Sequence, residues 1–248
     1  MAAARYTHIA LVTGANQGLG FEIAKKLTTE HSDYRVIMAG RRKEAIGKAV
    51  AELQEAGLAV EGLQMDVTSD ESIAEAARVV RERHGRLDVL VNNAGASLSE
   101  DGWPRKAFQE IFDINVFGVA RVTETFIPLL EKSEVTKRIV MMSSSTGSNA
   151  RLTDPLNPKR SYWASSFAIY STSKAALNML ANEYVVRFEN DPTWKVNLNC
   201  PGHCATNLND FAGRDTPQNG AINACRLATL GPDGETGTFT DRNGVVPY

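Results

Sequence analysis

Cysteine, histidine and long apolar runs are all scarce in this chain of 248 residues. Its three cysteines, Cys200, Cys204 and Cys225, are an odd set without zinc-site spacing, so we expect them to be reduced thiols. The four histidines are scattered, and no metal-ligand spacing joins them. No apolar run approaches the roughly 18 residues that a membrane-spanning helix needs. The sequence therefore predicts neither a metal centre nor a membrane span.

Neither sign of charge is in excess, because 27 basic side chains stand against 29 acidic ones and the net charge is −2. Such a balance lacks the basic surface of a nucleic-acid-binding protein. Residues 1–5 lack the charged region, apolar stretch and cleavage site of a secretory signal. We therefore expect a cytoplasmic protein that binds neither nucleic acid nor a membrane.

Short runs rich in aliphatic and β-branched residues alternate with longer stretches of helical periodicity. This alternation is typical of βαβ units, whose strands form a parallel sheet. No repeat or linker interrupts it, so we predict one α/β domain over residues 1–248. The predicted strands are 8–12, 34–39, 59–65, 87–92, 138–143 and 195–199. The predicted helices are 19–29, 43–56, 71–83, 105–131 and 167–188.

Two segments lack both periodicities. Residues 149–166 carry two prolines among polar side chains, and residues 207–219 combine asparagine, glycine and proline. Both compositions indicate loops. The second loop holds three side chains that would suit a modest, partly apolar substrate pocket: Leu208, Phe211 and Arg214.

Glycines follow the first predicted strand, in the run Thr13-Gly14-Ala15-Asn16-Gln17-Gly18-Leu19-Gly20. Glycine lets the backbone turn sharply and approach a pyrophosphate, whose charge is favoured by the amide hydrogens and dipole at the next helix start. A tight structural turn is the alternative, but the placement between strand and helix favours a dinucleotide site. The predicted contacts are Gly14, Asn16, Gln17, Gly18, Leu19 and Gly20.

The end of the second predicted strand bears on which dinucleotide binds. An NAD-binding chain usually places an acid there, about 20 residues beyond the glycines, to hold the ribose 2′-hydroxyl. Gly40 occupies that position here and Arg41 follows it. A guanidinium forms charge-assisted, often bidentate bonds to phosphate, so Arg41 favours the 2′-phosphate of NADP(H). The alternative is that Arg41 and Arg42 only solvate a loop.

Tyr170 and Lys174 stand four residues apart in the last predicted helix, so their side chains share one face. A free tyrosine has a pKa of about 10, and a neighbouring ammonium favours the phenolate and lowers that pKa. Tyr170 is therefore a candidate general acid or base. A tyrosine four residues before a lysine also occurs often by chance, so the pair depends on its context.

In that context the chain resembles the short-chain dehydrogenase/reductase family over nearly its whole length. Thr13-Gly14-x-x-x-Gly18-x-Gly20 is similar to the family's cofactor loop, Asn92-Asn93-Ala94-Gly95 to a motif at a sheet end, and Tyr170-x-x-x-Lys174 to the active site. The resemblance implies a single-domain Rossmann fold whose doubly wound parallel sheet has about seven strands. The further cofactor contacts that it implies are Asp66, Val67, Asn92, Ala94, Gly95, Tyr170, Lys174, Pro201, Gly202 and Thr206.

The same resemblance implies roles for four catalytic groups. Ser144 and Tyr170 would donate hydrogen bonds to a substrate carbonyl oxygen while a hydride passes between the nicotinamide and the carbonyl carbon. Tyr170 would supply the proton. Lys174 would hold the ribose and lower the pKa of Tyr170, and Asn115 would order a relay water.

Three of these assignments have alternatives. Ser143 and Ser145 are rivals of Ser144 for the substrate-binding hydroxyl, because the register of the serine motif is not secure. Asp66 could cap the following helix instead of holding the adenine. Asn115 could be a buried structural residue.

Tyr170 follows Ser144 by 26 residues, a longer separation than is common in this family, and the excess lies in residues 151–163. This lengthening and the ending at residues 231–248 resemble the carbonyl-reductase subgroup, whose insertion can cover the helices through which relatives associate. We therefore predict an NADPH-dependent reductase of a small ketone or aldehyde, with a monomer favoured over a homo-oligomer. A non-catalytic NADP-sensing protein with the same fold is the alternative.

Overall fold

A single sheet of eight strands forms the centre of the fold. The structure, a computed structural model, describes residues 6–98 and 102–248. The strands are β1 (His8–Thr13), β2 (Tyr34–Gly40), β3 (Val60–Gln64), β4 (Val89–Asn92), β5 (Lys137–Met142), β6 (Trp194–Asn199), β7 (Phe239–Asp241) and β8 (Gly244–Val245). Their order is β3-β2-β1-β4-β5-β6-β7-β8, and every neighbouring pair is parallel except β7 and β8.

Helices cover both faces of this sheet. They are α1 (Gly18–Glu30), α2 (Lys43–Glu55), α3 (Asp70–His84), α4 (Arg105–Phe112), α5 (Gly118–Leu130), α6 (Asn149–Thr153), α7 (Arg160–Ser166), α8 (Ala168–Arg187) and α9 (Pro217–Ala228). The predicted doubly wound parallel sheet is confirmed, with seven parallel strands and a two-residue antiparallel strand at one edge. Among the described residues, no helix combines the length and apolar character that crossing a bilayer requires.

Side chains of the central strands alternate between two apolar cores. Leu11 of β1 packs in the core that includes α3, α5 and α8, whereas Val12 packs in the core that includes α1, α2 and α9. Both side chains are fully buried. A strand that is buried on both faces needs a nearly continuous apolar sequence, which explains the unbroken aliphatic runs of β1 and β4.

The strand order reverses between β1 and β4. β1 is followed outward by β2 and β3, whereas β4 is followed by β5 and β6 on the other side. The segments that follow β1 and β4 therefore leave the sheet in opposite directions and open a crevice at its carboxyl edge. Ligands of open α/β sheets bind in such a crevice. The fold thus places the glycine loop, residues 13–20, at the expected ligand site.

The helix predicted for residues 105–131 changes pitch in its middle. A π-helical turn, Asp113–Phe117, joins α4 to α5 and holds the candidate Asn115. π-Helical turns occur frequently at functional sites. α5 begins at Gly118, where an added Cβ would lie 2.5 Å from the carbonyl oxygen of Val67. The absence of a side chain at Gly118 therefore lets the segment after β3 pack directly on this helix.

The loop prediction for residues 149–166 is wrong. This segment contains α6 and α7, and its two prolines lie between those helices, where neither interrupts a helical turn. Ser148 caps α6, because its hydroxyl accepts a hydrogen bond from the Arg151 amide at 3.1 Å. The loop predicted for residues 207–219 is also partly helical, because it holds a 3₁₀ turn, Asn207–Asn209, and the start of α9. The short strands β7 and β8 were not predicted.

We expect Gly118→Ala to lower the free energy of unfolding by about 1–3 kcal/mol, the usual cost of overpacking a filled site. Gly47→Ala in α2 is the matched control, because no described atom lies within 4 Å of the added Cβ. That control should be stabilised by about 0.5–1 kcal/mol. Urea denaturation measures both changes. A Gly118→Ala protein as stable as the wild type would contradict the contact with Val67.

Candidate active site

Tyr170 and Lys174 lie in the first two turns of α8. The ammonium nitrogen Nζ of Lys174 lies 5.6 Å from the centroid of the Tyr170 ring, so the structure brings the predicted pair together. Lys174 is buried, and its Nζ donates a hydrogen bond to the carbonyl oxygen of Met142 at 2.8 Å. Because Met142 is the last residue of β5, this bond attaches the helix to the carboxyl end of a central strand.

Burial changes the pKa of both members of the pair. It raises the pKa of the Tyr170 hydroxyl above its ordinary value, although a side-chain hydrogen bond with Ser144 acts in the opposite direction. It lowers the pKa of Lys174 to about 8. The ammonium of Lys174 lies over the ring and binds the Met142 carbonyl, and a lowering of the Tyr170 pKa by Lys174 stays a prediction. Tyr170 therefore keeps its proton near neutral pH.

Ser144 is the serine whose hydroxyl lies near that of Tyr170, where it lowers the pKa of the tyrosine against the effect of burial. Its side chain is only partly buried, and its oxygen accepts a hydrogen bond from the hydroxyl of Thr146 at 3.0 Å. Ser144 and Tyr170 therefore present two hydroxyls side by side at the carboxyl edge of the sheet. Two such donors can act together on one ligand oxygen.

The two rival serines make other contacts. Ser143 is buried, and its hydroxyl donates a hydrogen bond to Oδ1 of Asn178 at 2.5 Å. Ser145 contributes its backbone amide, which donates to the sulfur of Cys200 at 3.3 Å. The first contact occupies the Ser143 hydroxyl within the core, whereas the amide contact leaves Ser145 as a rival of Ser144.

Asn115 is fully buried near Lys174. Its Oδ1 accepts a hydrogen bond from the amide of Ala96, and its Nδ2 donates to the carbonyl of Ala96, each at 2.9 Å. Nδ2 also donates to the hydroxyl of Ser173 at 3.0 Å. A Cβ added to Gly95 would lie 3.3 Å from Asn115 Oδ1 and 3.6 Å from Lys174 Nζ, so Gly95 separates the two groups. The side chain of Asn115 thus has a structural function, and any catalytic function is additional.

The glycine loop is hydrogen-bonded to the segment after β4. Gly14 and Gly18 have φ values of +63° and +58°, which favour glycine. A Cβ added to Gly20 would lie 2.5 Å from Nδ2 of Asn93. The hydroxyl of Thr13 accepts hydrogen bonds at 2.9 Å from the amides of Asn93 and Ala94. Thr13 and Asn93 were not predicted as site residues, although both stand within the motifs that revealed the site.

The first turn of α1 leaves its amide hydrogens without a side-chain cap. Its N-cap residue, Gln17, makes no capping hydrogen bond, and the first turn holds no acidic residue. α3 differs, because Ser69 caps it and two acids occupy its first turn. The positive end of the α1 dipole is therefore available to an anion, as the loop sequence predicts. Leu19 packs towards α9, with its Cδ2 atom 2.5 Å from a Cβ added to Gly220.

Gly40 is the last residue of β2, and Arg41 follows it directly. A Cβ added to Gly40 would lie 2.9 Å from the side chain of Ile46 and 3.3 Å from Oδ1 of Asn16. A side chain at this position would therefore have to displace the buried side chain of Ile46. Arg41 is exposed beside it, and its carbonyl oxygen accepts a hydrogen bond from Nε2 of Gln64 at 3.3 Å.

Asp66 and Val67 form a turn after β3. One carboxylate oxygen of Asp66 accepts hydrogen bonds from the amide of Thr68 at 3.0 Å and from its hydroxyl at 2.8 Å. Asp66 does not cap α3, because the Ser69 hydroxyl accepts the capping bond. The alternative assignment of Asp66 as a helix cap is therefore wrong, whereas its proposed contact with adenine stays a prediction.

Residues 201–206 reach the glycine loop from the end of β6. Cγ2 of Thr206 lies 3.4 Å from a Cβ added to Gly18. The carbonyl of Pro201 accepts a hydrogen bond from the thiol of Cys204 at 3.3 Å, and Gly202 has a φ of +82°. The structure thus brings this predicted segment to the cofactor crevice.

Asn92 is directed away from that crevice. Its Nδ2 atom donates to the hydroxyl of Thr123 in α5 at 2.9 Å, and its side chain is buried. Only its backbone is in a position to face a ligand. Among the described residues, the three cysteines are free thiols, and no cluster of three or more histidine, cysteine, aspartate or glutamate side chains is arranged to hold a metal.

We expect the stability of the wild type to rise relative to that of Lys174→Met as the pH rises from about 8 to 10.5. The pKa of Lys174 is about 8 in the folded protein against an ordinary 10.5, so the unfolded chain binds more protons across that interval. Below pH 8 the folded protein bears the full free-energy cost of burying the Lys174 ammonium, and above pH 10.5 this cost is absent because the lysine is neutral in both states. Urea denaturation at pH values on both sides of the interval measures the difference. A difference that is independent of pH would contradict the lowered pKa.

Comparison with known proteins identifies relatives over almost the whole chain. The family model described as short chain dehydrogenase matches residues 8–216. The short-chain dehydrogenase anuI of Penicillium roqueforti is 37% identical, covering 97% of this chain and 96% of that protein. The (+)-neomenthol dehydrogenase of Arabidopsis thaliana is 32% identical, covering 96% and 97% of the two chains.

Solved structures agree with this relationship. Salutaridine reductase from Papaver somniferum has a TM-score of 0.78 and 29% identity, over 94% of this chain and 99% of its own. NADPH-bound carbonyl reductase from chicken fatty liver has a TM-score of 0.81 and 25% identity, over 98% and 100% of the two chains. The sequence match, the shared fold and the ordered site together show that this chain belongs to the short-chain dehydrogenase/reductase family of oxidoreductases.

Proposed function

We propose that this protein reduces the carbonyl group of a small ketone or aldehyde to an alcohol, with NADPH as the hydride donor. One observation carries the proposal: the turn that holds Ser144 packs against α8 at Lys174, which brings the Ser144 hydroxyl near that of Tyr170 beside the glycine loop. A positioned pair of hydroxyls can bind a carbonyl oxygen as negative charge develops on it. The reaction is reversible, and reduction is the proposed direction because cells keep NADPH largely in its reduced form.

The residues of the crevice fit a nicotinamide dinucleotide. The uncapped start of α1 and the positive φ values of Gly14 and Gly18 suit a pyrophosphate. Asp66 and Val67 would hold the adenine, and Thr206 would hold the carboxamide of the nicotinamide. When bound, the cofactor supplies the hydride.

The choice of NADP(H) over NAD(H) rests on the end of β2. Gly40 supplies no carboxylate to accept from a ribose 2′-hydroxyl, and Arg41 offers an exposed guanidinium beside it. The chicken carbonyl reductase and a single-substitution variant of actinorhodin polyketide ketoreductase have structures with NADPH. The ketoreductase has 26% identity and a TM-score of 0.79, over 98% of this chain and 97% of its own.

The catalytic roles follow from the hydrogen bonds of the site. Ser144 would orient the substrate by donating to its carbonyl oxygen. Tyr170 would donate a second hydrogen bond and then transfer its proton to the same oxygen. Lys174 would hold the ribose hydroxyls, and its positive charge would stabilise the phenolate that remains on Tyr170. Asn115 would order a water through which a proton returns from solvent.

Apolar side chains beside the crevice favour a substrate with an apolar body. Leu208 and Phe211 of the segment after β6 are 43% and 62% exposed, and Trp103 of the segment after β4 is 54% exposed. β4 and β6 are both parallel strands of this sheet, so the loops that follow them leave it at the same edge, and we expect these side chains to border the same opening. They would contact the substrate body while Ser144 and Tyr170 hold its carbonyl oxygen.

We keep the sequence-based predictions for the oligomeric state, the extent of the domain and the cellular location. We propose one domain over residues 1–248, because all eight strands of the described residues join one sheet. The inserted segment includes α7, which adjoins α8. It leaves Met179 and Val186 of α8 exposed, so it does not cover the whole of that helix against association with a second copy. Monomer and cytoplasmic location are therefore predictions.

Tyr170→Phe should lower kcat for reduction of an activated ketone or aldehyde by about 10²–10⁴-fold, the usual contribution of a positioned general acid. NADPH binding should be unchanged, because the phenyl ring keeps the packing. A panel of carbonyl compounds with NADPH absorbance measures the rate, and cofactor fluorescence measures binding. Undiminished turnover by Tyr170→Phe would refute the assignment. Tight NADPH binding by a wild type that reduces no carbonyl compound would favour the NADP-sensing alternative.

Arg41→Ala should weaken NADPH binding by about 10- to 100-fold, because a hydrogen bond to a charged group contributes about 1.5–3 kcal/mol. NADH binding should change little, since NADH has no 2′-phosphate. Arg81→Ala is the control, because Arg81 is an exposed arginine in the last turn of α3. Titration of each variant with both cofactors gives the comparison. Equal losses of NADPH and NADH affinity would contradict the phosphate contact.

A further inference from the structure

Asn178 lies one helical turn beyond Lys174 and two turns beyond Tyr170 on α8. Residues four apart share a helix face, so Asn178 continues the line that the catalytic pair begins. Its side chain is only 4% exposed. A buried amide is costly unless it is hydrogen-bonded, so its partners indicate its function.

Both polar atoms of Asn178 bind the turn that carries Ser144. Oδ1 accepts the hydrogen bond from the Ser143 hydroxyl at 2.5 Å, and Nδ2 donates to the carbonyl oxygen of Gly147 at 3.2 Å. These two contacts lie at opposite ends of the five-residue segment 143–147. Asn178 therefore joins both ends of this serine turn to the helix that holds Tyr170.

The serine turn also touches α8 without an intervening side chain. A Cβ added to Gly147 would lie 2.7 Å from the Cβ and the carbonyl carbon of Lys174. On its other side, the amide of Ser145 donates to the sulfur of Cys200 at 3.3 Å. The turn is thus held between α8 and the end of β6, and Asn178 provides its side-chain hydrogen bonds to the helix.

The geometry points to Asn178 as a positioning residue for carbonyl reduction, which fixes the Ser144 hydroxyl in register with Tyr170 through the serine turn. This inference rests on the proposed function. Asn178 itself touches no reacting atom. Ser143 takes part in the same positioning, because its buried hydroxyl donates one of the two hydrogen bonds between Asn178 and the serine turn. That pairing explains why a serine stands at a buried position directly before the catalytic one.

Asn178→Leu, which removes both bonds at similar volume, should lower kcat by about 10- to 100-fold. This loss is smaller than the roughly 10²–10³-fold that one direct donor to a developing oxyanion contributes. In a Ser144→Ala background the same substitution should change kcat by less than about twofold, because residues that act through one group are not additive. The dissociation constant of NADPH should stay within about twofold of the wild type in every variant.

Asn197→Leu is the matched control. Asn197 is also buried, and its Oδ1 accepts a hydrogen bond from the amide of Thr238, away from the serine turn. This variant should lose stability in urea and keep the kcat of the folded protein. Asn178→Leu should lose kcat even when thermal denaturation shows that it is folded at the assay temperature.

Asn178→Asp provides a second readout, and it tests the inference if Asn178→Leu does not fold. A carboxylate keeps the acceptor for Ser143 but loses the donor to Gly147, whereas a protonated carboxyl restores that donor. The kcat of Asn178→Asp relative to the wild type should therefore rise as the pH falls. A merely structural amide would give a ratio independent of pH.

Two results overturn the inference separately from the proposed function. Equal losses from Asn178→Leu with Ser144 present and with Ser144→Ala would show that Asn178 does not act through Ser144. A kcat unchanged by Asn178→Leu in folded protein would show that no positioning is needed. If Ser144→Ala itself leaves kcat unchanged, the proposed role of Ser144 fails, and this inference fails with it.

Discussion

The attachment of α8 to the carboxyl end of β5 sets the relative positions of Ser144, Tyr170 and Lys174, to which we assign the chemistry. Lys174 binds the last carbonyl of β5 at 2.8 Å, and the bare Cα of Gly147 lets the following turn lie directly against the backbone of Lys174. A buried ammonium is costly in a protein interior, and burial lowers its pKa to about 8. The buried Lys174 ammonium thus lowers stability, but its hydrogen bond to Met142 also fixes the position of Tyr170 one turn away on α8.

The cofactor crevice depends on a second set of close contacts, made where side chains are absent. The glycine loop approaches the segment after β4 so closely that a Cβ on Gly20 would overlap Asn93. Thr13 then hydrogen-bonds the amides of Asn93 and Ala94 across the point where the strand order reverses. These contacts hold the uncapped end of α1 against the crevice, and thereby place an anion site beside the catalytic helix.

Much of this organisation could be predicted from the sequence, because it depends on periodicity and on short motifs. The alternation of apolar runs predicts the parallel strands, and the spacing of Tyr170 and Lys174 predicts their shared face. Other features depend on contacts between distant residues. Periodicity alone carried no signal for the π-helical turn around Asn115 or for the two helices in residues 149–166. Burial raises the pKa of Tyr170, and spacing along a helix could not reveal that burial.

The central claim is that the site transfers a hydride to a carbonyl carbon and a proton to its oxygen. The most direct test supplies NADPH deuterated at both C4 positions of the nicotinamide, together with the carbonyl substrate of greatest turnover, and analyses the product by mass spectrometry and NMR. The account predicts an alcohol with one deuterium, located on the carbinol carbon. A product without deuterium at that carbon, or oxidation of NADPH without formation of an alcohol, would contradict it.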